Sequence, residues 1–207
     1  MNEPRIRRSA RRFRNAKLQV ECLEARALLA CSMLGYGAQL IDTVLTIDGT
    51  GCGDVIAIQN QDNALVGDPS DDTVSVVING TEVANLALAG VTKFIIRGAN
   101  GHDTVTIGDG VTIGAQVHGG NGNDTIEGGD GNDTLIGENG KDTIDGDDGN
   151  DLIQGGNGAD ILQGGLGTDT LHGSTSADIL NDPDGDENLF GELGRDTING
   201  VLEPKGV

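Results

Sequence analysis

Between Gly119 and Gln154 the chain reads GGNGNDTIE, GGDGNDTLI, GENGKDTID and GDDGNDLIQ, one nine-residue phrase repeated with small changes. In this frame successive units begin at Gly119, Gly128, Gly137, Gly146, Gly155, Gly164, Gly173, Asp182 and Gly191. The sixth position reads Asp124, Asp133, Asp142, Asp151, Asp160, Asp169, Asp178, Glu187 and Asp196. The eighth reads Ile126, Leu135, Ile144, Ile153, Leu162, Leu171, Leu180, Leu189 and Ile198. A tract of random low complexity would not hold an acid and an aliphatic residue in phase over roughly eighty residues. The repeat is therefore a structural unit.

Such an array of carboxylates needs compensation, and the rest of the chain supplies little. The formal net charge is −20, with 33 Asp and Glu against 13 Lys and Arg in 207 residues. Phosphates would be repelled, so a nucleic-acid partner is excluded and cations are the natural partners. Aromatic residues make up 2% and Trp is absent, which leaves few large side chains for a conventional core. Thirty-five glycines exceed the ordinary share of about 7%. No run of eighteen apolar residues occurs, so no transmembrane helix is expected. Cys22, Cys31 and Cys52 show no metal spacing, and if the N-terminal piece is removed only Cys52 remains, so no disulfide framework is implied.

The phrase GGxGxDxUx, with U aliphatic, resembles the RTX or haemolysin-type calcium-binding repeat. The match is close over 119–172 and looser to 199. The resemblance implies an all-β fold, a parallel β-roll or β-solenoid of nine-residue repeats. Six Gly-rich residues form each turn, the residues around the aliphatic form each short strand, two units complete a coil, and calcium ions lie between successive turns. On that pattern Asp124, Asp142 and Asp160 stack along one edge, and Asp133, Asp151 and Asp169 along the other. Neighbouring strands sit about 4.8 Å apart. Two carboxylates about 5 Å apart repel by roughly 1 kcal/mol in water and by about 3 at an effective dielectric of 20. Repeated along two edges, that repulsion is comparable with the stability of a small domain.

Calcium would remove the repulsion, because it takes six to eight oxygen ligands and tolerates irregular geometry. The implied ligands are those six carboxylates with Asp178 and Asp196, together with backbone oxygens of Gly120, Gly122, Gly129, Gly131, Gly140, Gly149, Gly156 and Gly158. Mg²⁺ demands a stricter octahedron, and Zn²⁺ would want Cys or His. His102, His118 and His172 do not recur in frame and read as solvated surface side chains. Asn121, Asn123, Asn132, Asn139, Asn150 and Asn157 suit turns. Glycine at the first and fourth positions is expected to free the backbone for the turn. Ser174, Ser176 and Glu187 depart from the pattern, which weakens the sites that draw on their units. DPDGDEN lacks EF-hand spacing and reads as a bulged turn.

Residues 40–117 read as a short, irregular β region: TVLTI, DVIAI, TVSVVI, KFIIR and DTVTI, separated by Gly, Asn and Asp. It is expected to lead into the roll of residues 118–200 and to cover its first open coil. GTGCGDVIA (49–57) and GANGHDTVT (98–106) echo the repeat, the first keeping Asp54 and Ile56, the second Gly101, Asp103 and Val105. Either acid could bind calcium or merely shape a turn.

Residues 1–34 differ from everything after them. Arg5, Arg7, Arg8, Arg11, Arg12, Arg14 and Lys17 precede LQVECLEARALLA, where Glu21, Glu24 and Arg26 interrupt any apolar core of a signal peptide. Val20, Glu21, Leu23, Glu24, Arg26, Leu28 and Leu29 resemble the LEPR-XLL segment of surface and secreted proteins of planctomycete-like bacteria, with Ala25 where Pro is usual. The resemblance implies export or sorting. The plainer alternative is a short amphipathic helix behind a basic arm.

No HExxH, GxSxG or other catalytic constellation is present, so no enzymatic activity is expected. The sequence points to a secreted or cell-surface calcium-binding protein of structural or adhesive role, with a cell-surface or polysaccharide partner. The alternative is a non-catalytic, polysaccharide-binding accessory to a secreted enzyme system.

Overall fold

In a computed structural model the chain is described over residues 37–60, 73–87, 91–183, 188–199 and 201–202. The basic N-terminal segment and most of DPDGDEN lie outside these residues. The described chain is a parallel β-solenoid whose eighteen strands form two sheets, with no helix among the described residues.

The repeats set the plan. Alternate units feed alternate sheets, because each Gly-rich turn carries the chain across the narrow body and each short strand runs along one face. One sheet receives β8 (Ala115–Asn121), β10 (Thr134–Asn139), β12 (Leu152–Asn157), β14 (Thr170–Thr175) and β16 (Asn188–Phe190). The other receives β9 (Thr125–Glu127), β11 (Thr143–Asp145), β13 (Ile161–Gln163), β15 (Ile179–Asn181) and β17 (Thr197–Ile198). Every pairing among these strands is parallel, with Ile126 opposite Ile144, Ile144 opposite Leu162 and Leu162 opposite Leu180.

Alternation in a strand sends one side chain inward and its neighbours outward. In three-residue strands this leaves a single core residue each. Ile126, Leu135, Ile144, Ile153, Leu162, Leu171 and Leu180 are all at most 1% exposed, and two such columns make the whole core of the repeat region.

The irregular region continues both columns. Its strands are β1 (Gly37–Ile41), β2 (Val44–Asp48), β3 (Val55–Asn60), β4 (Thr73–Ile78), β5 (Thr81–Ala87), β6 (Lys93–Asn100) and β7 (Thr104–Ile107). In the first sheet β2, β6 and β8 are parallel, so Ile47, Ile96 and Val117 extend the column that leads to Leu135. In the second, β3, β7 and β9 are parallel, so Ile56 and Val105 stand in line with Ile126.

At the outer edges the direction reverses. β1 runs antiparallel to β2, while β4 and β5 form an antiparallel hairpin beyond β3. At the far end β18 (Val201–Leu202) folds back antiparallel on β17. Reversed strands of this kind interrupt the template that an open parallel edge would offer to another chain.

Candidate metal centre

The acids of the sixth position sit where each turn meets the following strand, and they link the coils. Asp103, Asp124, Asp133, Asp142, Asp151, Asp160, Asp169, Asp178 and Asp196 are at most 3% exposed. Backbone N–H groups of one coil donate to the Oδ1 of the acid in the next. Along the first edge Asp54 donates to Asp103 (2.6 Å), Asp103 to Asp124 (2.8 Å), Asp124 to Asp142 (2.8 Å), Asp142 to Asp160 (2.8 Å), Asp160 to Asp178 (2.9 Å) and Asp178 to Asp196 (2.9 Å). Along the second, Ala115 donates to Asp133 (2.6 Å), Asp133 to Asp151 (2.7 Å) and Asp151 to Asp169 (2.7 Å).

The other carboxylate oxygen has a different fate. Oδ2 of Asp103, Asp124, Asp133, Asp142, Asp151, Asp160 and Asp178 is buried without a hydrogen-bond partner. A Cβ placed on Gly119 would lie 2.5 Å from Asp124 Oδ2 and 3.0 Å from the carbonyl oxygen of Gly137, one coil on. The same holds at Gly128, with Asp133 Oδ2 at 2.7 Å and the Gly146 carbonyl at 2.6 Å. Oδ2 of Asp103, Asp124, Asp133, Asp142, Asp151 and Asp178 thus shares a gap with a main-chain acceptor and has no donor. Leaving a buried charged acceptor unmade is costly, so the gap calls for a proton or a cation.

Burial raises the proton affinity of these carboxyls, against the pull of the donated backbone N–H. Asp142 and Asp103 are pushed up to about 6, Asp133 and Asp178 to about 7, and Asp151 to about 8. Asp124 and Asp160 are raised for the same reason. Neighbouring acids add repulsion, as Asp133 and Asp169 do for Asp151.

The turn geometry refines the expectation for glycine. First-position glycines are wanted for close approach, since a side chain on Gly119 or Gly128 would fill the gap beside Oδ2. Left-handed backbone falls instead at the second position, where Ala99, Gly120, Gly129, Glu138, Asp147, Gly156, Gly165, Ser174 and Glu192 all have positive φ. At the fourth position Gly122, Gly140, Gly149 and Gly158 have φ between 140° and 154°, a region that side chains rarely enter. Gly131, also a predicted ligand, does not share that φ. The first-position carbonyls of Gly119, Gly137 and Gly146, which the sequence reading did not single out, border the same gaps as the orphaned Oδ2 atoms of Asp103, Asp124 and Asp133. Their signal was the near-invariance of glycine at that position.

Other polar groups lace the coils independently of the acids. Asn121 donates to Asn100 (2.8 Å), Asn139 to Asn121 (3.0 Å), Asn157 to Asn139 (2.8 Å), and the Thr175 hydroxyl to Asn157 (3.1 Å). The histidines are engaged and not merely solvated. His102 Nδ1 accepts from the Asn123 N–H (2.7 Å), His118 meets Glu138 (2.9 Å), and His172 meets Glu192 (2.8 Å) while stacking on Phe190. Cys52 is disulfide-bonded.

Among the described residues, no group of three or more His, Cys, Asp or Glu side chains converges on one point. A cation held here would depend on main-chain oxygens for much of its shell, which suits calcium. Nor is any described helix long and apolar enough to cross a membrane. Residues 118–153, 145–180 and 184–200 match the family described as RTX calcium-binding nonapeptide repeat (4 copies). No curated protein and no solved structure matches the chain.

Proposed function

We propose that the RTX repeats of residues 118–200 bind calcium ions in the gaps between successive turns, and that this binding completes the fold of a secreted structural or adhesive protein. The observation that carries the reading is the row of buried Oδ2 atoms with acceptors, and no donors, beside them. Asp124, Asp133, Asp142, Asp151, Asp160, Asp169, Asp178 and Asp196 supply charge. Carbonyls of the turn glycines, those at the first position included, supply the remaining oxygens. A calcium ion in each gap replaces repulsion by coordination and needs no proton.

Coupling follows from the geometry. The ligands of one gap come from two coils, so the site exists only when both coils are in place, and binding energy is folding energy. Where calcium is scarce the roll is loose; where it is plentiful the roll closes. An extracellular setting accords with that switch, and a disulfide at Cys52 is the bond of an oxidising compartment.

The test is far-UV circular dichroism of the full chain during calcium titration from chelator, with magnesium as control. A cooperative gain of β signal with calcium alone is the expected result. A β signal indifferent to calcium at pH 9, where the carboxyls are ionised, would overturn the reading.

A further inference from the structure

We propose that the calcium row on the first edge extends one coil beyond the recognised repeats, to Asp103, and stops there because Asp54 is closed by hydrogen-bond donors. This rests on the calcium reading above. The Gly98–Asp103 turn lies outside residues 118–200, and its spacing to the next acid is 21 residues where the repeats have 18.

Despite that spacing, Asp103 keeps the full geometry of a repeat acid. Its N–H donates to Asp124 Oδ1 (2.8 Å), and its Oδ1 accepts from the Asp54 N–H (2.6 Å). The residue is 1% exposed, and its Oδ2 is buried without a partner. A Cβ on Gly98 would lie 2.6 Å from that Oδ2 and 2.5 Å from the Gly119 carbonyl oxygen. Gly119 stands in the same relation to Asp124 and to the Gly137 carbonyl. The gap between the Gly98 and Gly119 turns is therefore built like the gap between the Gly119 and Gly137 turns: a buried carboxylate oxygen facing a main-chain oxygen.

Asp54 occupies the next place in the row and is equally buried, at 1% exposure. A Cβ on Gly49 would lie 3.0 Å from its Oδ2 and 2.6 Å from the Gly98 carbonyl oxygen, so the backbone frame persists. What changes is the donor supply. Asp54 Oδ2 accepts from the Thr50 N–H (2.5 Å) and the Thr50 hydroxyl (2.8 Å), and Oδ1 accepts from the Asn79 side-chain amide (2.7 Å). Asn79 follows β4, in the hairpin inserted between β3 and β6. Its arrival, with Thr50 at the second position of the turn, satisfies the charge without a metal. A carboxylate with donors on both oxygens gains little from a cation that would have to displace them.

Native mass spectrometry of the full chain at saturating calcium tests the assignment, counting ions on the compact charge states only. Asp103→Asn keeps an oxygen for the Asp54 N–H but removes the charge and the orphaned carboxylate oxygen. It should bind one calcium ion fewer than wild type, whereas Asp54→Asn should bind the same number. An unchanged count in Asp103→Asn, or a lost ion in Asp54→Asn, would overturn the proposal while leaving calcium binding by the repeats intact. If Asp103→Asn gives no compact species, Asp103→Ser is read in the same way. A wild-type chain that binds no calcium would sink the underlying reading itself.

Discussion

In chelator, acid should order the roll and alkali should loosen it. The perturbation is pH alone, from 9.5 down to 5, on the metal-free chain. Burial raises Asp151 to about 8, Asp133 and Asp178 to about 7, and Asp103 and Asp142 to about 6, against an ordinary value of 3.8. The folded roll therefore holds protons that the unfolded chain has already released. The sign is fixed: this contribution to stability is fully present below 3.8 and is lost as the pH rises through 6 to 8.

At pH 7 a group near 8 is about nine-tenths protonated, groups near 7 about half, and groups near 6 about one-tenth. The five together hold roughly two protons, which sets a slope of about 3 kcal/mol per pH unit near neutrality. Near pH 5 the slope is about twice that, and at pH 9.5 it approaches zero. Far-UV circular dichroism in chelator should show β signal growing as the pH falls below about 7. At pH 6 a pH-stat should record proton release when saturating calcium is added, because the ion replaces the protons beside Oδ2. A metal-free β signal that ignores pH, or is stronger at pH 9 than at pH 6, would refute the burial argument.

Four substitutions probe the other forces. Ile144→Ala removes a core residue stacked between Ile126 and Leu162; urea titration in calcium should show a loss of about 3 kcal/mol. Gly140→Ala would set a Cβ against the Gly122 carbonyl at a φ of 151°, and should prevent the calcium-induced gain of β signal. Ser174→Gly should do the reverse, relieving a left-handed serine at φ 77° and raising the melting temperature in calcium, by up to about 1 kcal/mol of stability. Asn139→Ala cuts the amide ladder between Asn121 and Asn157; it should cost about 1 kcal/mol, measured by thermal melting, and the cost should be similar at low and high calcium.

The sequence announced the coil, the two columns of aliphatic residues and the two edges of acids because an 18-residue step places identical chemistry at identical positions. Ile144 and Asp142 could be placed by counting. What counting could not place was the continuation past Gly119. Asp54, Asp103 and Asp124 are consecutive rungs, yet 49 and 21 residues separate them. The β4–β5 hairpin occupies the first gap and the Gly108–Gly114 loop part of the second. Insertions leave the register of a solenoid intact because only the strands and turns stack, so the fold survives where the period does not. The echoes GTGCGDVIA and GANGHDTVT were visible in the sequence, but whether their acids lacked partners depended on Thr50 and Asn79. His118 and His172 escaped because their partners, Glu138 and Glu192, stand in the second position of a neighbouring turn, a relation that exists only once coils are stacked.

The reversed strands at the two ends have a mechanical consequence. Within the repeats each coil touches only the coil before and the coil after it, as a stack of plates does. Such a rod transmits tension plate by plate and has no single keystone whose loss releases the rest. Among the described residues the outermost strands of each sheet have a neighbour on one side only, and the turned-back strands β1 and β18 act there as end-stops. A pull on the C-terminus would have to lift β18 from β17 before the first coil could unwind, so resistance is set at the tip and then repeats, coil after coil, along the axis.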